Sequence, residues 1–145
     1  MIEGVKILKR SVFKDNRGEV KHIMKPTDDN FKTFGEVYCS SINPGIVKGW
    51  SLHKKMTINY TVIRGSIKFV LFDSRKSSAT INKKQEIILD SSNYVSVSVP
   101  PLIWSAFQCI GMEKAYVINF TDYPHTKSEA IKMDPYEKDI INHNW

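Results

Sequence analysis

Short β-rich runs, closely spaced and divided by turn signals, constrain this chain more than any other feature. Residues 56–63, MTINYTVI, alternate. Met56, Ile58, Tyr60 and Val62 fall on one side, and Thr57, Asn59, Thr61 and Ile63 on the other. Residues 66–72, SIKFVLF, follow directly after Arg64-Gly65, which predicts a tight hairpin. Further strands are predicted over 37–42, 85–90, 94–99 and 115–120, with Val95, Val97 and Val99 on a buried face. Turn signals recur between them: DNRG, NPG, DSR, DSSN, VPP and GMEK. Only HTKSEAIKM, residues 125–133, has the composition of a helix, and a short one. The closing YEKDIINHNW has no clear period, but its apolar tryptophan suits a cover over an open barrel mouth. So many short strands in 145 residues predict a single all-β domain over 1–145, a double-sheet jelly roll.

Composition narrows the function classes. Hydrophobic residues make up 41% and charged residues 25%, as in ordinary soluble globular proteins. No apolar run approaches the roughly 20 residues of a membrane span, and the N-terminus MIEGVKILKR lacks the apolar stretch of a signal peptide. Cys39 and Cys109 lie in apolar stretches and read as reduced core residues, so a cytoplasmic setting is expected. The net charge of +6 favours an anionic partner. The positive charge is dispersed, with no arginine-rich run, zinc-finger spacing or basic amphipathic helix, which argues against nucleic acid as that partner. A phosphorylated small molecule suits it instead.

The stretch PGIVKGWSLHKK, residues 44–55, carries the first site signal. Metal-binding jelly rolls of the cupin type use His-x-His, then a carboxylate on the same hairpin, then a third histidine after a Pro-x-Gly turn, because imidazole and carboxylate supply the lone pairs. Here those positions fall on Ser51, His53, Ile58 and Ser105, so three of four are not ligands. One histidine does not hold a catalytic metal, and neither metal nor other cofactor is expected.

The same stretches resemble a metal-free cupin family, the dTDP-4-dehydrorhamnose 3,5-epimerases and their shorter relatives. DNRGEVKHIMK (15–25) is similar to the family's Asp-x-Arg-Gly segment. FGEVYCSSINPGIVKGW (34–50) resembles the strand leading to its Arg-Gly-x-His motif. VIRGSIKFVLFDSR (62–75) resembles its Val-x-Gly-x-x-x-x-Val-x-x-Asp-x-Arg hairpin, and VPPLIWSAF (99–107) its Ile-Pro-Pro-Gly-x-x-His-Gly-Phe. TDYPH and the tail ending in tryptophan complete the order.

The resemblance implies a homodimer of cupin-type double-stranded β-helix barrels, acting on a nucleotide-diphosphate sugar. The implied chemistry moves a proton alpha to the C4 ketone of a nucleotide-linked sugar. A histidine held by an aspartate is the base, a tyrosine on the opposite side is the acid, and a lysine steadies the enolate. This chain departs from that set. The base histidine falls on Ser51, the lysine near Ile58, the later histidine on Ser105, and the acid tyrosine near Ile118. Lys48 replaces the arginine, and Arg17 is retained as an implied phosphate contact.

His53 matches the second histidine of a His-x-His used by a related branch, the dTDP-sugar 3,4-ketoisomerases, and strand spacing aims it into the same cavity as Ser51. His53 is therefore the candidate base, with Asp139 as its orienting carboxylate. Arg17, Lys48, Trp50, Ser51, Asn59, Trp104 and Ser105 are the candidate substrate-binding residues, with Ser51, His53, Asn59 and Trp104 expected in one cavity. Asn119, in an apolar strand, reads as a satisfied buried amide. Three functions stay open: an epimerase-like protein in polysaccharide synthesis with its standard base and acid replaced, a non-catalytic nucleotide-sugar or carbohydrate binder, and a 3,4-ketoisomerase using His53.

Overall fold

The structure, a computed structural model, describes residues 1–145 and contains no helix. Its strands are β1 (Lys6–Lys9), β2 (Val12–Asp15), β3 (Gly18–Lys21), β4 (Glu36–Ile42), β5 (Val47–His53), β6 (Ile58–Arg64), β7 (Ser66–Asp73), β8 (Lys84–Asp90), β9 (Val95–Val99), β10 (Ile103–Cys109), β11 (Ala115–Thr121) and β12 (Ala130–Lys132). Two five-stranded antiparallel sheets face each other, in the orders β1-β9-β6-β11-β4 and β12-β5-β10-β7-β8, and β2 pairs with β3 as a separate hairpin. The chain forms a cupin-type jelly-roll barrel.

The alternating runs become strands close to their expected limits, but 56–63 and 66–72 do not form a hairpin. β6 pairs with β9 and β11, while β7 pairs with β8 and β10 in the opposite sheet. Gly65, at φ +77°, carries the chain from one sheet to the other, and a Cβ there would sit 2.8 Å from Ala115 Cα. The helix expected over 125–133 is also absent. A turn closes with Glu129 N donating to Thr126 O at 3.0 Å, and Ala130–Lys132 then joins β5 as a short edge strand.

Apolar residues fill one half of the space between the sheets. Ile58, Val62, Phe69, Leu71, Leu89 and Val97 are all buried there. At about 1.5–3 kcal/mol for each fully buried side chain, this half holds the sandwich together. A second apolar cluster lies on the outer face of β5-β10-β7, where Trp50, Leu52 and Trp104 pack with Ile141 of the tail. Trp145 packs on Trp50 at 5.4 Å between ring centres. Its Nε1 donates to Pro135 O at 2.8 Å. The tail therefore covers a sheet face rather than the barrel mouth, because its apolar residues meet two tryptophans pointing outward. Cys109 is buried as expected, whereas Cys39 is exposed on the edge strand β4. No helix is long and apolar enough to cross a membrane.

Candidate active site

The other half of the barrel holds a cavity of about 450 Å³, walled by β4, β6 and β11 on one side and β5, β10 and β12 on the other. Its depth follows from what the strands turn inward. Tyr38 and Ser40 of β4, Asn119 of β11, Ser51 and His53 of β5, and Ser105 of β10 border it where aliphatic side chains would otherwise meet. Ser51 and Ser105 are directly paired across β5 and β10. Just beyond, the register slips between Ser105 and Phe107, and Lys48 comes opposite Phe107. This bulge brings Lys48 to the cavity as well.

His53 sits at the end of β5 and is the cavity's most enclosed imidazole. Its Nδ1 is buried without a partner. Nε2 is the nitrogen left to meet a ligand. Burial pushes the His53 pKa below the free imidazole value. Glu129 opposes that shift, and His125 and Lys132 add to it. The ring is therefore neutral, and able to accept a proton, at and somewhat below ordinary physiological pH. Glu129, 4% exposed, accepts hydrogen bonds from the amides of Lys54, Lys55 and Met56, the turn leaving His53.

The cavity's charge is one-sided. Lys48 and Lys132 border it beside the imidazoles of His53 and His125, and no aspartate or glutamate does. Such a lining attracts an anion. His53 and His125 are not joined there by a third metal-ligating side chain. Tyr60 is buried, and its hydroxyl lies 3.3 Å from Ser105 Oγ. Burial raises its pKa far above the ordinary phenol value, despite the Ser105 contact. Asn119 Nδ2 donates to Val117 O, Ser40 Oγ and Tyr38 O, as expected of a satisfied amide.

Ser51, His53, Lys48 and Ser105 meet in this cavity. Trp50 borders it, but its indole packs outward against the tail. Four expected positions lie elsewhere. Asn59 is on the outer face of β6, where its Oδ1 accepts from Asn30 Nδ2 at 2.6 Å, because Tyr60 takes the inward position. Trp104 faces outward, paired with Leu52, because Ser105 takes the inward position on β10. Arg17 is on the exposed turn between β2 and β3, where it pairs with Asp15 at 2.7 Å. Asp139 is exposed in the tail, and Glu129 is the carboxylate that acts on His53 instead. Tyr38, Ser40, Tyr60, His125 and Lys132 also border the cavity, and none was expected there from the sequence. Period-two alternation over 37–42 would have paired Tyr38 with Ser40, but nothing local marks His125 or Lys132.

Comparison with known proteins decides the family. The family model described as dTDP-4-dehydrorhamnose 3,5-epimerase matches residues 1–142. The chain belongs to this family. It is 31% identical to the dTDP sugar isomerase of Desulfovibrio desulfuricans G20, with a TM-score of 0.93 over 97% of this chain and 90% of that one. It is 24% identical to the spore coat polysaccharide biosynthesis protein SpsL of Bacillus subtilis (strain 168), over 100% of this chain and 97% of that protein. The fold is shared with ChmJ, a 3'-monoepimerase from Streptomyces bikiniensis solved in complex with dTDP-quinovose. That match has 16% identity and a TM-score of 0.84, over 96% of this chain and 74% of ChmJ.

Proposed function

We propose that this chain isomerises or epimerises a nucleotide-linked 4-keto-6-deoxy sugar for polysaccharide synthesis, with His53 as the base. The observation that carries the reading is the cavity itself. It has one enclosed, neutral imidazole and a cationic, carboxylate-free lining. That lining suits the diphosphate of a nucleotide sugar. His53 Nε2 suits removal of a proton made acidic by the neighbouring ketone. Lys48 and Lys132, rather than Arg17, are the lysine and arginine side chains that border the cavity. The names of the Desulfovibrio isomerase and of SpsL support the substrate class and the polysaccharide setting.

Residues 1–145 are taken as one unit, working in the cytoplasm as a homodimer. The exposed Phe13 and Val20 of the β2–β3 hairpin support a partner contact.

The test is incubation with dTDP- and GDP-4-keto-6-deoxy sugars in heavy water, followed by proton NMR. Deuterium should enter at one sugar carbon, and His53→Ala should abolish the exchange. Migration of the ketone to C3 would make the chain a 3,4-ketoisomerase. Nucleotide binding without any exchange would make it a non-catalytic binder, a reading that Ser51 and Ser105 favour by taking the places of proton carriers.

A further inference from the structure

Turning a carbon over requires a proton carrier on each face of the sugar ring. His53 stands on one wall of the cavity, on β5. The position that the family resemblance assigns to the acid, near Ile118, supplies nothing. Ile118 has no proton to exchange, and the inward residues of β11 are its alternating partners, with Asn119 at the cavity. Asn119 in turn spends its amide on β4 and on its own strand.

Asn119 Nδ2 donates to the backbone carbonyl of Tyr38, whose side chain borders the cavity. The two residues are direct partners in the pairing of β11 with β4. On β4, Tyr38 and Ser40 border the cavity, whereas Val37 and Cys39 lie on the alternate, exposed face. β4 belongs to the sheet that faces β5 across the barrel. The phenol of Tyr38 and the imidazole of His53 thus stand on opposite walls of one space.

The second cavity tyrosine does not compete for the role. Tyr60 is 4% exposed and its hydroxyl is engaged with Ser105. Tyr38 is 38% exposed, and its hydroxyl has no hydrogen-bond partner within the chain. An unengaged hydroxyl on a partly exposed side chain can give a proton to a ligand and be reloaded from water.

We propose that Tyr38 is the proton donor that works across the cavity from His53. The inference rests on the reading under Proposed function. In the step, His53 Nε2 takes the proton from the carbon beside the ketone. The C–H electron pair forms the enolate double bond, and the ketone oxygen takes the negative charge. Tyr38 then delivers its hydroxyl proton to that carbon from the opposite face as the enolate collapses to the ketone. Water returns a proton to the phenolate, and His53 releases its proton to water. Burial, with Glu36 nearby, holds the Tyr38 pKa above the ordinary phenol value, so the proton is in place at neutral pH.

Tyr38→Phe removes only the hydroxyl, and the test compares it with the wild-type chain in heavy water on a dTDP-4-keto-6-deoxy sugar, with dTDP titrated against both. Deuterium should still enter with retained configuration, because His53 is intact. Product of inverted configuration should fall by about 10²-fold or more, the usual contribution of one acid–base partner. Affinity for dTDP should stay within about twofold of wild type. Inversion within about threefold of wild type would overturn the role of Tyr38 and leave the isomerase reading standing. Equal loss of exchange and inversion with dTDP binding intact would also overturn it, since the hydroxyl would then serve removal of the first proton. A wild-type chain that exchanges nothing would remove the isomerase reading, and the role of Tyr38 with it.

Discussion

Glu129 ties the fold to the candidate base, and replacing it should disturb both by separable amounts. Its Oε1 accepts from Lys55 N at 2.9 Å and Met56 N at 2.7 Å, and its Oε2 from Lys54 N at 3.1 Å. Hydrogen bonds to a charged group contribute about 1.5–3 kcal/mol each, but not additively. The amides of Lys54 and Lys55 belong to exposed residues and can turn to water, whereas Met56 is 1% exposed and its amide cannot. Counting the Met56 bond in full and the other two at a fraction, Glu129→Ala should cost about 3 kcal/mol. For a chain of this size that lowers the melting temperature by roughly 6–12 °C at neutral pH.

The sign with pH follows from the carboxylate. Burial alone would raise the Glu129 pKa, but the three amides and His53 outweigh it and hold it below the usual value. Its contribution is therefore complete above the ordinary glutamate pKa of about 4.3, and is lost as pH falls through the lower folded value. The gap between wild type and variant should narrow in acid. The same charge raises the pKa of His53 against the effect of burial. Removing it should move the acid limb of His53-dependent exchange to lower pH. Calorimetry at neutral and acidic pH, with a pH profile of exchange, checks both. A melting temperature within about 2 °C of wild type, or an acid limb moved upward, would refute the reasoning.

Asp73 is 0% exposed and accepts from Arg75, Ser78 and Thr80. Asp73→Asn should therefore cost about 3–5 kcal/mol in urea unfolding, as when one partner of a buried ion pair is removed, and a cost under about 1 kcal/mol would mean that the cluster is not a staple. Trp145→Ala removes the ring stacked near Trp50 and His143, and should flatten the near-ultraviolet circular dichroism of the tryptophans and lower the urea midpoint. An unchanged spectrum would mean that the tail does not dock.

Six strands were legible because one of their faces alternates against the apolar half of the barrel, as Val95, Val97 and Val99 do. β5 and β10 were not, because their inward face turns polar at the cavity while their outward face is apolar, the reverse of the usual pattern. Ser51 and Ser105 face the cavity while Leu52 and Trp104 lie under the tail. Residues 125–133 have helical composition, yet Glu129 gives its carboxylate to three amides of another turn and Ala130–Lys132 fills the edge of β5. Tertiary pairing outweighs so short a propensity. In the site, spacing within one strand placed Ser51 and His53 together. Tyr38, His125 and Lys132 arrive from a facing strand, a loop and a late edge strand, and only the topology brings them to His53.

The position of Lys48 shows how finely that topology depends on one residue. Strict alternation along β5 would set Lys48 with Trp50 and Leu52, under the tail, and leave Ser51 and His53 on the cavity face alone. An ammonium buried among tryptophans without a partner would be costly. The bulge opposite Ala106 prevents this. Gly49 takes φ +130°, and a Cβ there would lie 2.4 Å from Ala106 Cβ and 2.9 Å from Ser105 O. No other residue fits that approach without moving β10. Gly49 thus lets a lysine and a histidine, an odd number of residues apart, border the same space. The positive lining on which the proposed substrate class rests depends in part on a residue with no side chain.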